Sequence, residues 1–279
     1  SGQTIDAGQT ILLRGGDLGS ASAEMSTTLG NQTIGNRNAG SDQTDSIRVT
    51  AGQAMLSDAK ISSGGTQTLR ATGDITVSNP GADTAAISAV GDQNITAGRL
   101  FVTLASLLTG NPLAEVRSDA NQTNALDGGA DTATLMVRNN STSTGSLAQV
   151  KAGGDQVVSM PYSDKAGLLQ IGGTETKGAS LLSAGGTQTL LVGEVLVQGG
   201  QSAAAAAKIL AVGNADISAI NGSIRVLGGY AGSAAIDPPV LNLVSNGDVV
   251  VQAGAQPTAT ALIQGGNVNI AATNGNVQT

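Results

Sequence analysis

The hexapeptide Gly-Gly-Thr-Gln-Thr-Leu occupies residues 64–69 and recurs letter for letter at residues 185–190. Shorter echoes, each centred on a glutamine, begin near the start of the chain and continue around these two full copies. A self-similar unit of roughly 30 residues is the signature of a repeat architecture. The frame continues without glutamine at Ala215, Val249 and Val268, so we expect about ten units and a single domain over residues 1–279. The glutamines that mark the units are Gln3, Gln32, Gln67, Gln93, Gln122, Gln156 and Gln188.

Each unit contains three short apolar segments that are separated by Gly, Asn, Asp or Ser. In one unit they lie at residues 67–69, 75–77 and 86–88. In the unit of Ala215 we expect the third segment at residues 241–243, after a long loop over residues 230–239. Short β-branched runs between turn residues predict strands and not helices. Because no unit is large enough to close a core, the sequence predicts an all-β parallel β-helix (β-solenoid) of about ten coils with three strands each.

The composition limits the chemistry that the chain can perform. With one Phe, two Tyr and no Trp, the core must be built from Val, Ile, Leu and Ala, which suits thin layers between strands. The absence of Cys and His removes thiolate and imidazole groups, and we predict no metal and no cofactor. A net charge of −7 without a basic run argues against a nucleic-acid partner. No apolar run approaches the ~20 residues of a membrane-spanning helix.

The marker glutamines are predicted to point into the solenoid. In a strand, residues i and i+2 share a face, so Gln67 should point inward with Leu69. The residues that replace glutamine in later units, Ala215, Val249 and Val268, are also suited to a core. Stacked coils lie ~4.8 Å apart, at which one side-chain amide can reach the next, so we predict an internal glutamine ladder with a structural role. At Gln122 the next inward residue is the polar Asn124, and we expect a local distortion there.

Residues 246–254 and 265–277, rich in Gly, Asn and small apolar residues, resemble the haemagglutinin-type repeats of filamentous-haemagglutinin (two-partner-secretion-like) bacterial exoproteins. The resemblance implies a right-handed parallel β-helix, export to the cell surface, and adhesive or structural work. The coil pattern also runs to both termini without an evident polar cap, and an uncapped solenoid exposes strand edges and an apolar cross-section. We therefore expect an extracellular structural protein, either a filament subunit that stacks end to end on further copies or a stalk segment of a longer surface adhesin.

Three other functions compete with this interpretation. A parallel β-helix can be a polysaccharide-active enzyme, which needs clustered carboxylates on neighbouring coils. Asp92 and Asp155 share a position in the repeat, but Asn121 lies between them, so we predict no enzyme. The alternative is an ice-binding or glycan-binding solenoid, and ice binding is suggested by the threonines that flank the glutamines on the outward face. The outward row contains Thr4, Thr33, Thr68, Thr123 and Thr189, with interruptions expected at Asn94, Val157, Val250 and Asn269.

Overall fold

The computed structural model describes residues 2–18, 20–36, 43–106, 108, 110–128, 132–143, 145–160 and 167–279. In these residues the protein is all-β, with 29 strands in three parallel sheets and no helix. Each coil of the chain gives one strand to each sheet in turn. The predicted parallel β-solenoid with three strands in each coil is therefore confirmed. Nine coils are complete, and two further strands begin a tenth.

The strands are numbered in chain order and grouped here by sheet. The first sheet contains β1 (Gln3–Ile5), β4 (Gln32–Ile34), β7 (Gln67–Arg70), β10 (Gln93–Ala97), β13 (Gln122–Leu126), β16 (Gln156–Ser159), β19 (Gln188–Val192), β22 (Asn214–Ala219), β25 (Val240–Ser245) and β28 (Asn267–Ala272). The second contains β2 (Thr10–Arg14), β5 (Ser46–Thr50), β8 (Asp74–Asn79), β11 (Arg99–Leu104), β14 (Thr134–Asn139), β17 (Leu168–Gly172), β20 (Glu194–Gln198), β23 (Ile224–Leu227), β26 (Val249–Gln252) and β29 (Val277–Gln278). The third contains β3 (Ala23–Thr27), β6 (Ala59–Ser63), β9 (Thr84–Ala89), β12 (Leu113–Ser118), β15 (Leu147–Ala152), β18 (Ala179–Ala184), β21 (Ala207–Ala211), β24 (Ala234–Asp237) and β27 (Ala261–Ile263).

The core is one continuous stack of inward-facing aliphatic side chains. Burial alternates along many of the strands, as in β8, where Ile75 and Val77 are fully buried and the residue between them is not. Each inward residue packs on the equivalent residue of the next coil, so Ile75 stands between Ile47 and Leu100. Full burial of such a side chain stabilises the fold by about 1.5–3 kcal/mol. The resulting cluster runs from Ile11 to Val249 without a break between coils.

Corners connect the sheets and absorb the differences in coil length. After β4, Gly35 adopts a φ of 81°, and a Cβ there would lie 2.0 Å from the carbonyl oxygen of Arg70 in the next coil. Only glycine fits this position. Between the second and third sheets, the buried amide of Asn79 donates to the carbonyl of Leu113 in the following coil at 2.9 Å. Polar corner groups are thus paired across coils, which lets loops vary without disturbing the sheets.

The predicted frame of the later coils is wrong in two places. The third strand of the eighth coil is β24, inside the supposed loop over residues 230–239, and residues 241–243 belong to β25 of the first sheet. Val249 lies in the second sheet, whereas Leu241 pairs with Ala215 and Val268 and so follows the glutamines. The sequence gives little indication of a strand at β24, because this strand is short and alanine-rich. In the structure Ile236 packs in line with Ile209, and this contact fixes the pairing of β24 with β21.

Candidate functional site: the glutamine column

Seven glutamines stack at the first inward position of seven consecutive strands of the first sheet. Parallel pairing aligns each one with the next, from Gln3 opposite Gln32 to Gln156 opposite Gln188. Six side-chain hydrogen bonds of 2.7–2.8 Å join them, and in each the Nε2 of one glutamine donates to the Oε1 of the preceding coil. All but Gln3 are at most 1% exposed. We call this set, Gln3, Gln32, Gln67, Gln93, Gln122, Gln156 and Gln188, the glutamine column.

The hydrogen bonds explain how an apolar core can hold so many amides. A buried amide that lacks a partner destabilises a fold by about 1–3 kcal/mol for each group left unpaired. Within the column each interior glutamine donates to the preceding one and accepts from the following one, so neither the nitrogen nor the oxygen of its amide is left without a partner. A register slip of one residue would bring an outward threonine into the core and move the amide to the surface. The column therefore supplies register, and its burial hides it from ligands.

The column ends at Gln188 with an unsatisfied group. Ala215 occupies the equivalent position in the next coil, followed by Leu241 and Val268. As a result Gln188 Oε1 is buried and accepts no hydrogen bond within the described part of the chain. This atom marks the coil at which the column changes from glutamine to the aliphatic residues Ala215, Leu241 and Val268.

The expected distortion at Asn124 does not occur. Strand β13 pairs in unbroken register with both β10 and β16, and Asn124 stands between Ile95 and Val158 in the core. Its Nδ2 donates to Gln122 Oε1 at 3.3 Å, and that oxygen also accepts from Gln156. A carbonyl oxygen has two lone pairs, so one acceptor serves both donors without a change of backbone. The Oδ1 of Asn124 is buried and accepts no hydrogen bond from the residues that the structure describes.

The outward threonines form a short row and not a continuous face. Thr4, Thr33 and Thr68 are adjacent in three consecutive coils. In the next coils Asn94 and Val157 interrupt the row, before and after Thr123. After Thr189 the last three positions of the row hold no threonine. These three are Asp216, Asn242 and Asn269, and Val250, expected in this row, lies instead in the second sheet.

The carboxylates before the first sheet hold the backbone of the next coil. Asp92 Oδ1 accepts the N–H of Asn121 at 3.1 Å, and Asn121 Oδ1 accepts the N–H of Asp155 at 2.9 Å. Asp155 Oδ1 accepts both the hydroxyl and the N–H of Thr187, at 2.8 and 2.7 Å. The hydroxyl bond first, and then the backbone bond, lower the pKa of Asp155. Asp92 and Asp155 thus brace separate turns, with the Asn121 coil between them.

Charged pairs cross the outer face of the second sheet, a feature that the sequence did not indicate. The guanidinium of Arg99 binds both carboxylate oxygens of Asp74 in the preceding coil, at 2.6 and 3.0 Å. The same group lies over the ring of Phe101, 5.5 Å from its centre. Within the described ranges, no three His, Cys, Asp or Glu residues are grouped so as to hold a metal ion.

Comparison with family models, with curated proteins and with solved structures finds no match for this chain. What the geometry defines is the class of protein: a parallel β-solenoid repeat protein with an internal amide ladder. The similarity to haemagglutinin-type repeats stays a prediction. A helix that could cross a membrane is not found among the described residues.

Proposed function

We propose that this protein is a structural rod that works outside the cell, as a filament subunit or as a stalk segment of a surface adhesin. The observation that carries the proposal is the unbroken parallel pairing of all three sheets from the first coil to the last. Ten strands stacked ~4.8 Å apart give a rod about 45–50 Å long. Because every coil is hydrogen-bonded to the next along the axis, such a rod resists bending and stretching, which is what a stalk or filament requires.

The two end coils support stacking along the axis. At one end Ile5 and Met25 are only partly buried although they pack against the core. At the other end Ile270 is half-buried and Val277 is 52% exposed, both in inward-facing columns. Open strand edges beside apolar surface recruit further strands. The adjoining coil would come from another copy in a filament, or from further sequence of a longer polypeptide in a stalk.

Head-to-tail contact between copies would generate an open filament and not a closed dimer. Negative-stain electron microscopy of the purified chain at low micromolar concentration tests the proposal. Filaments with an axial repeat of about 45–50 Å would support the subunit, and dispersed rods of that length would support the stalk segment. Globular particles would contradict both.

Two variants separate specific stacking from unspecific association. Val268→Lys places a charge on the end face, where Val268 is 37% exposed in the inward column, and should abolish filaments. Val212→Lys changes a residue that is 73% exposed on the side of the rod and should leave them intact. The short outward row of Thr4, Thr33 and Thr68 is the one feature that points to a second function, ice binding. Rods that arrest ice growth would therefore overturn the structural proposal.

A further inference from the structure

A groove of ≈470 Å³ lies on the side of the rod, where the second sheet turns towards the third in the seventh to ninth coils. Gln198, Leu227 and Gln252 form one side, since they pair in line as the last residues of three consecutive strands. Tyr230, which is 61% exposed, forms another side from the corner that follows β23. The groove lies away from the end faces of the rod, so any ligand bound there would not depend on the end-to-end stacking proposed above.

The floor of the groove is backbone. A Cβ on Gly228 would lie 2.4 Å from the amide nitrogen of Gly254, and a Cβ on Gly254 would lie 1.8 Å from the carbonyl oxygen of Gly229. A Cβ on Gly229 would likewise lie 2.2 Å from the carbonyl oxygen of Gly199 in the preceding coil, so three coils touch through glycines and no side chain fits between them. No side chain therefore rises from these glycines, and Tyr230 lines the groove beside them.

The residues that line the groove carry no charge, although the chain contains 13 basic and 20 acidic residues. Besides the hydroxyl of Tyr230, its polar side-chain groups are the amides of Gln198 and Gln252, whose donors and acceptors are not used by the protein within the described residues. A charged ligand would meet no countercharge here, and a purely apolar ligand would cover two amides without pairing them. The chemistry calls for a neutral ligand with both an apolar face and hydroxyl groups.

We propose that this groove binds a neutral oligosaccharide. One sugar ring lays its C–H face on Tyr230, because an aromatic ring offers a flat, polarisable surface to such groups. Side-chain amides both donate and accept, as hydroxyl groups do, so Gln198 and Gln252 hydrogen-bond the sugar hydroxyls. The two glutamines stand two coils apart, ~9.6 Å along the axis, a span that suits two linked rings better than one. Leu227 lies between them and supports the apolar edge of the ligand.

Saturation-transfer-difference NMR on the full chain tests the proposal with three neutral probes, cellotetraose, maltotetraose and tetra-N-acetylchitotetraose, and one acidic probe, trigalacturonate. We expect transfer to one of the neutral probes. Tyr230→Ala should weaken that binding about tenfold or more, Tyr230→Phe should retain it, and loss of either amide in Gln198→Ala or Gln252→Ala should weaken it severalfold.

Leu29→Ala is the matched control, because Leu29 is 80% exposed at a different corner and its removal should leave binding unchanged. Circular dichroism checks that each variant keeps the β-sheet spectrum. Transfer to none of the neutral probes, transfer to trigalacturonate alone, or binding that survives Tyr230→Ala would each overturn the proposal.

Discussion

Substituting Gln93 tests whether the glutamine column sets stability and register. Gln93 is fully buried, donates to Gln67 Oε1 at 2.8 Å and accepts from Gln122 Nε2 at 2.7 Å. Gln93→Leu would leave both neighbours with an unpaired buried group, at about 1–3 kcal/mol each, or about 2–6 kcal/mol together. Burial of the leucine side chain offsets about 1.5–3 kcal/mol of this. We expect a net loss of about 1–3 kcal/mol.

Gln93→Glu should be more destabilising and should depend on pH. The new carboxylate can still accept from Gln122, but its other oxygen would face Gln67 Oε1, which is also an acceptor. A buried charge without a countercharge destabilises by about 3–5 kcal/mol. A protonated carboxyl can donate to Gln67 and restores the bond. Both this bond and burial favour the neutral form, so the pKa of the carboxyl is raised in the folded state. Stability is therefore retained below the pKa of the unfolded chain, about 4.3, and is lost as pH rises towards the folded value.

Urea unfolding at pH 4 and pH 7 measures both changes. Asn94→Asp is the matched control, because it makes the same amide-to-carboxylate change one residue along on the outward face, and we expect less than about 0.5 kcal/mol. Gln188→Leu is the second comparison. It removes the unpaired Gln188 Oε1 but unpairs Gln156 Oε1, so the number of unpaired groups is unchanged and stability should be nearly unchanged. Equal tolerance of charge at Gln93 and Asn94 would refute the reasoning, as would equal losses from leucine at Gln93 and Gln188.

Two further substitutions address single polar groups. Asn124→Leu should stabilise the protein by about 1–2 kcal/mol in urea unfolding, because it removes a fully buried, unpaired oxygen from an aliphatic column; a loss of stability would contradict that account. Hydrogen bonds from Thr187 lower the pKa of Asp155, so their stabilisation is complete above the ordinary value of 3.8 and is lost as pH falls through the folded pKa. Urea unfolding between pH 5 and pH 2 should show a smaller acid-induced loss for Asp155→Asn than for the native chain, and identical pH profiles would exclude this role.

The sequence predicts the first seven coils well because a glutamine marks the start of each repeat unit. Each marks the first inward position of a strand, and the parity of the following residues then gives the inward face. After Gln188 no residue type plays this part. Valines and leucines occur in inward positions of all three sheets, so Val249 in the second sheet resembles Leu241 in the first. Pairing with the preceding coil, which the sequence does not display, decides between them.

The groove beside Tyr230 could not be predicted for a related reason. Its sides come from Gln198, Leu227 and Gln252, which are separated by a full coil each and become neighbours only through the register. Its floor needs three glycine corners to touch. In sequence each of these corners has the composition of any turn, and Tyr230 is one of only two tyrosines in the chain. One exposed tyrosine over a backbone floor is enough to supply the ring surface.

The end of the glutamine column divides the rod into parts that hold their register by different forces. Up to Gln188, a shifted strand in the first sheet would leave buried amides unpaired, and the penalty for each is large because no water reaches them. Beyond Ala215 the amide ladders lie on the surface, where Asn269 donates to Asn242 at 3.0 Å and Asn274 donates to Asn246. Water can replace these bonds at little loss, so they specify register weakly. In the last coils the strand register must therefore be fixed by the packing of one aliphatic layer on the next, whereas in the first seven coils the buried glutamines fix it.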